Sequence, residues 1–261
     1  MRLFTIALVA LVAVASGRAM ASSCRVAQPG ARSIVAQVGS STDTLTGNRG
    51  NWNEQYITLS SRDGAAHSSY GSITTDQRFG LTDITYEGGT YFVLTPKLLA
   101  SAVASFSPTH QVLPASTLQG AVDLRLAQGY GLQTSLAQRD YPSAVADILT
   151  GGADHYIGNQ HLSVTISAVN LSNVPGTAVS AGITYARTLR CDDVSFALSG
   201  GRDVENTGTG ANVAICQTIN YTANELHWLT PHTAISLGAG WYLLTGAYDR
   251  FEVHLAINER I

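Results

Sequence analysis

From about Ser33 to the C-terminus the chain alternates apolar and small polar residues, in segments of roughly ten set apart by turn-forming residues. In the segment 234–243, Ile235, Leu237, Ala239, Trp241 and Leu243 fall on one face and Ser236, Gly238 and Gly240 on the other. Only an extended chain, with its period of two, sorts them this way. The pattern predicts strands at roughly 33–44, 52–61, 68–78, 82–93, 98–107, 116–126, 131–140, 145–157, 161–169, 177–189, 192–201, 213–228, 233–244 and 249–260. The expected fold is all-β: a transmembrane, antiparallel, up-and-down β-barrel of about 14 strands. Strand 145–157 carries Asp147 and Asp154 and alternates poorly, which keeps 12 strands as the alternative.

Longer connections at 44–51, 107–116, 170–176 and 201–212 alternate with short ones near Pro96, Gly129, Gly158, Cys191 and Pro231. Outer-membrane barrels pair longer outside loops with short periplasmic turns in this way. Placing the N-terminus in the periplasm then orients every strand. Trp52, Phe106, Tyr141, Trp241 and Phe251 fall near the outer ends, and Tyr91, Phe92, Tyr156, Tyr185 and Trp228 near the inner ends. They are read as two aromatic belts at the headgroup levels. Ile57, Leu59, Leu118, Val164, Phe196, Leu255 and their in-register neighbours would face lipid. Asp76, Arg78, Glu87, Asp123, Arg125, Arg139, Arg250, Glu252 and His254 would face the lumen, as a polar channel wall or as a network that plugs the barrel.

The residues before the strands carry an export signal. Met1-Arg2 is a basic start, 3–15 an almost wholly apolar run, and Ala19-Met20-Ala21 a small-x-small cleavage site. The run is shorter than the ~20 residues a spanning helix needs. The expected organisation is a signal peptide at 1–21, a short periplasmic segment at 22–32 and the barrel at 33–261. A rival reading acylates Cys24 after a lipoprotein-type cleavage. Loss of Arg2 and Arg18 takes the formal charge from −3 to −5. An acidic chain lacks the basic footprint nucleic acid demands. Charged residues are only 13% of the chain, about half the soluble norm of ~25%, which suits a wall facing lipid and disfavours a soluble secreted β-protein. Mean hydropathy is nevertheless only +0.09, too low for a helical membrane protein.

Chemistry is thinner. Cys191, in a periplasmic turn, and Cys216, near an outer strand end, stand too far apart for a disulfide, which needs Cα atoms within ~7 Å; a bond between Cys24 and Cys191 stays open. Asp154, His155 and His161 flank one turn, but their spacing fits no zinc motif. His67-Ser68-Ser69 and His254 are the only recruits for a lipid-modifying nucleophile, with nothing tying serine, base and acid together. Loop 202–212 lacks the alternating oxygen ligands of a calcium loop. No catalytic residue, metal site or cofactor is therefore expected. Arg78, Glu87, Asp123, Arg125 and Arg139 are the lumen-lining candidates, with a Glu87–Arg78 pair near the outer end and an Asp123–Arg125 pair reaching Arg139.

Three stretches carry a family resemblance: 52–55 (Trp-Asn-Glu-Gln); 78–83 (Arg-Phe-Gly-Leu-Thr-Asp) with Tyr86-Glu87; and Thr150-Gly151-Gly152 leading to 156–159 (Tyr-Ile-Gly-Asn) and Leu162-Ser163. In these the chain resembles the YaiO family of outer-membrane proteins. It departs at its end, where Ile261 replaces the aromatic residue that barrels offer to the assembly machinery. The resemblance implies a porin-like barrel in the outer membrane of a Gram-negative envelope. Outer-membrane lipid and the barrel-assembly machinery would be its partners, with a polysaccharide as the candidate cargo. The expected function is a non-enzymatic narrow or plugged channel aiding polysaccharide export or surface handling. A closed structural or adhesive barrel presenting loops 44–51, 107–116 and 202–212 is the alternative; a lipid hydrolase or acyltransferase is the third.

Overall fold

The computed structural model describes residues 32–47, 50–64, 66–206 and 213–261; the export signal and Cys24 lie outside them. The strands are β1 (Ser33–Leu45), β2 (Asn51–Asp63), β3 (His67–Arg78), β4 (Leu81–Thr95), β5 (Leu98–Phe106), β6 (Ser116–Arg125), β7 (Tyr130–Tyr141), β8 (Ala144–Ile157), β9 (Gln160–Leu171), β10 (Val174–Thr188), β11 (Asp192–Asn206), β12 (Val213–Trp228), β13 (Thr233–Thr245) and β14 (Tyr248–Arg260). Each pairs antiparallel with its sequence neighbours, and β1 pairs with β14 from Val35↔Arg260 to Leu45↔Arg250. This is a closed barrel of 14 strands, and closure leaves no edge to satisfy in a membrane.

The pleat sorts the residues as the alternation predicts. Leu118, Leu136, Ile57 and Ile166 stand 59–66% exposed on the outer face, while their sequence neighbours turn inward. An apolar outside around a polar inside inverts the soluble arrangement and fits a lipid solvent. Buried apolar side chains form small inner patches instead of one core. One gathers Leu45, Trp52, Leu244 and Tyr248, and another Ala144, Ala146, Val169, Leu171, Ala178 and Val213.

Both termini of the barrel lie at one end, read as the periplasmic end because the shorter turns of outer-membrane barrels mark that side. At the other, outer end the connection expected at 170–176 is absorbed into β9 and β10, which meet in a two-residue turn with a bulge between Val174 and Thr177. The β5–β6 connection is long and tied down. The Asp83 carboxylate, fully buried on the inner face, accepts the backbone N–H groups of Gln111, Val112 and Leu113 at 2.7–2.8 Å.

The belts are corrected by the register. Trp52, Tyr141, Tyr91, Tyr156 and Trp228 fall on the inward parity, opposite Asp43, Ala144, Ser68, His161 and Ala234. Phe106, Trp241, Phe251 and Tyr185 do face outward at the expected ends, joined by Tyr86, Tyr221 and Phe196 in cross-strand rows: Tyr221–Trp241–Phe251 and Tyr86–Phe106 toward the outer end and Tyr185–Phe196 toward the inner. A strand end rich in aromatics does not by itself say which face they take.

Beyond Gly201, β11 leaves the wall. Its pairing with β10 stops at Ser180↔Gly201, and that of β12 with β13 stops at Gln217↔Thr245; past these points the two strands pair only with each other, to Asn206↔Val213. Val204, Val213 and Ile215 of this ribbon pack on the inward Ala146, Val169 and Ala178. The ribbon thus bends into the outer mouth. Gly201 allows the bend: its φ is +139°, and a methyl group there would overlap the carbonyl of Val179.

The inner wall as the candidate functional site

At the outer end four neighbouring strands converge their inward residues on Trp52, which is only 2% exposed. Arg78 lies over its indole with Cζ 4.8 Å from the ring centroid, and Arg250 at 5.3 Å. Phe79 and Tyr248 meet the same ring edge-on at 5.2 and 5.5 Å. Phe79 reaches it from a two-residue turn in which it and Gly80 both have positive φ, the geometry that hairpin twist favours. Asp43, Glu54, Asp76 and Glu252 surround the two guanidiniums. Arg78 donates to Asp76 at 2.9 Å through Nη2, and Arg250 Nε stands 3.9 Å from Asp43. Glu205, on the inward ribbon, lies within electrostatic reach of Arg250, Arg78 and Arg139. The mouth is an arginine–aromatic layer set in an excess of carboxylate.

Below it the wall is paved with tyrosines. Tyr70 lies over Gly89 and Tyr56 over Gly39, each across the strand it pairs with; Tyr242 lies over Gly240 of its own strand within the mouth layer, with Arg250 Cζ over its ring at 3.9 Å. A side chain at any of these glycines would overlap the ring, so glycine lets the ring lie against the wall instead of projecting into the bore. The Tyr70 hydroxyl donates to Glu87 at 2.8 Å.

The periplasmic end holds a cavity of about 650 Å³ bounded by Asp123, Gln133, Asp154, Tyr156, His161 and Ser163. His161 stacks on Tyr156 at 4.2 Å, with Nε2 3.8 Å from Asp154.

The five predicted lumen residues all take the inward parity, but not the pairings expected of them. Glu87 opposes Ser72 in mid-wall while Arg78 sits at the β3–β4 turn, so no Glu87–Arg78 pair forms. Asp123 and Arg125 oppose Gln133 and Gly131 toward the periplasmic end, whereas Arg139 opposes Thr117 toward the outer end. His155 turns outward and stacks on Tyr130, away from His161. His67, also outward, meets Thr90, while His254 faces in beside Glu252. Cys191 is disulfide-bonded and Cys216 free, so they are not joined; the partner of Cys191 lies outside the described residues. Asp192, Glu225 and His227 bring ligand atoms within 4.8 Å of one another on the outward face, the one metal-like grouping among the described residues. Sequence reasoning missed Trp52, Tyr56 and Tyr70 as wall residues, although their parity against Ile57, Leu59 and Ile73 carried the signal.

A family model for the YaiO membrane beta barrel domain matches residues 35–206. The chain belongs to the YaiO membrane β-barrel family. With its apolar exterior it is an outer-membrane β-barrel, and it resembles porins and channels in fold. The CymD monoaromatic hydrocarbon channel is similar with TM-score 0.56 at 7% identity, over 90% of this chain and 89% of that one. A bacterial polysaccharide outer membrane secretin is similar with TM-score 0.54 at 8% identity, over 87% and 98%. Omp33 of Acinetobacter baumannii gives 0.52 at 14%, over 88% and 99%. At such identities the likeness is one of fold. No curated protein matches this YaiO-family chain.

Proposed function

We propose that this protein is a non-enzymatic, narrow channel of the outer membrane that handles a surface polysaccharide. The observation that carries the reading is the tyrosine paving. Tyr56 and Tyr70 lie against the inner wall over glycines, which presents ring faces to the bore and keeps it open at their level. A pyranose has one face of C–H groups that lies on an aromatic ring, and Ser, Thr and Gln between the rings exchange hydrogen bonds with its hydroxyls. Fourteen strands enclose less than the aqueous lumen of porins with 16–18 strands and more than a side-chain-filled barrel of 8. That bore suits one extended chain better than a folded protein. The fold shared with a polysaccharide secretin supports the same reading.

One observation favours a second reading, a closed barrel that presents its outer surface. The inward ribbon and the pinned β5–β6 connection both stand at the outer mouth. Planar-bilayer recording on protein purified from outer membranes decides between them. A channel gives steady conductance with transient block by added maltohexaose, and the block shortens when Tyr56 and Tyr70 are both changed to Ala. Silence from a verified folded barrel overturns the channel and leaves the closed form.

A further inference from the structure

Beyond Gly201 the paired ends of β11 and β12 lie over the bore. Glu205 on this ribbon is within electrostatic reach of Arg139 on β7 and of Arg250 on β14. Those two strands stand diametrically opposite in the closed ring of 14, so a carboxylate that feels both stands between the walls and not against one of them. Tyr141 on β7 and Tyr248 on β14 feel the same carboxylate. The other face of the ribbon is apolar. Val204, Val213 and Ile215 cover Ala146, Val169 and Ala178, inward residues that they leave only 0–2% exposed.

The same ribbon has a second place to go. Thr177, Ala178 and Val179 of β10 pair with β9 on one side and, among the described residues, with no strand on the other. Continuing the Ser180↔Gly201 register would set Val179, Ala178 and Thr177 opposite Arg202, Asp203 and Val204. Val204, Val213 and Ile215 share the parity of Leu198 and Ile219, which face outward. A ribbon zipped onto β10 would therefore turn its apolar face to the outside, as the rest of the wall does. One apolar face with two apolar destinations, and one free strand edge with a matching register, make an element with two discrete positions. Gly201 is the hinge, because its φ of +139° suits glycine and the bent position is the one that needs it.

Resting on the reading of the barrel as a polysaccharide channel, we infer that this ribbon is a gate. Docked on β8–β10 it narrows the outer mouth to a passage for water and ions. Zipped onto the free edge of β10 it widens the mouth for a saccharide chain.

The test is planar-bilayer recording on the full barrel purified from outer membranes, with two independent variants. Val204→Ser combined with Ile215→Ser weakens the docked face, and Gly201→Ala puts a methyl group where the bend has no room for it. The unaltered protein is expected to hold a narrow conducting level with rare steps to a wider one. Each variant should spend at least about tenfold more time at the wider level. Gel mobility before heating verifies that each barrel is folded. The free thiol of Cys216, half-buried on the ribbon, gives a readout that does not depend on conduction. A maleimide-linked polyethylene glycol too bulky for the docked mouth should label it faster in both variants. Equal conductance in all three proteins overturns the gate and leaves the channel standing. Silence in all three with faster labelling in the variants overturns the channel and keeps the moving ribbon, and silence with equal labelling overturns both.

Discussion

The carboxylate of Asp83 takes the backbone N–H of Val112 at 2.7 Å, and with it those of Gln111 and Leu113. One side chain thus satisfies three successive donors of the longest described outer connection, in a fully buried position. Hydrogen bonds to a charged acceptor are the stronger kind, and a buried donor left without a partner costs about 1–3 kcal/mol. Asp83→Ala is expected to release 107–115 at a cost on the order of 3 kcal/mol. Amide exchange at Gln111, Val112 and Leu113 should then speed by at least tenfold while the strands stay protected. Unchanged exchange would mean that the connection is held by its other contacts, among them Thr109 Oγ1 accepting from Ile84 N–H.

Trp52 is the keystone of the outer layer. Its ring is shared by two guanidiniums and two edge-on aromatics, and removing so large a buried side chain costs about 3–5 kcal/mol. Trp52→Ala should lower the temperature at which the folded barrel loses its fast gel mobility, and Trp52→Phe should recover part of that loss. Arg78 and Arg250 would lose their cation–π partner, worth about 0.5–2 kcal/mol each. Full stability in Trp52→Ala would show that the mouth is held by its ion pairs alone.

The strand number and the lipid-facing set were legible because a period of two is a strong signal wherever one face meets lipid. Ile57, Leu118 and Ile166 are exposed as the alternation requires. The inner wall was half legible. Parity placed Arg78, Glu87, Asp123, Arg125 and Arg139 on the inward face, but partners depend on register, which the turns set and the alternation does not. The two-residue Phe79-Gly80 turn brings Arg78 opposite Leu81 and puts Glu87 opposite Ser72. The ribbon beyond Gly201 was illegible for another reason. Its strands still alternate, and nothing in that alternation says that they have left the wall.

Gly89 carries a prediction about the bore. A methyl group at this position would overlap the Tyr70 ring, which now crosses the paired strand to lie over it. Gly89→Ala is expected to swing the ring toward the lumen, breaking its bond to Glu87, at a packing cost of about 1–3 kcal/mol. Conductance should fall in Gly89→Ala and recover in the double variant with Tyr70→Ser. If conductance falls in both alike, the glycine matters for the strand backbone and not for the ring.

Cys216 offers a chemical probe of the charge at the mouth. It is free and half-buried on the ribbon, where it opposes Asp203 and lies near Glu205. The carboxylates of Asp43, Glu54, Asp76 and Glu252 outnumber the nearby guanidiniums. A focused negative potential of a few kT raises the local concentration of cations and depletes anions. A trimethylammonium-bearing methanethiosulfonate should therefore label Cys216 faster than its sulfonate counterpart by on the order of tenfold, and the difference should shrink as salt rises. Because Cys191 is held in a disulfide, labelling without reductant reports on Cys216, the free thiol among the described residues, and Cys216→Ser supplies the control. Glu205→Gln should narrow the gap between the reagents. Equal rates at low salt would show that the arginines cancel the carboxylates where the ribbon crosses the mouth.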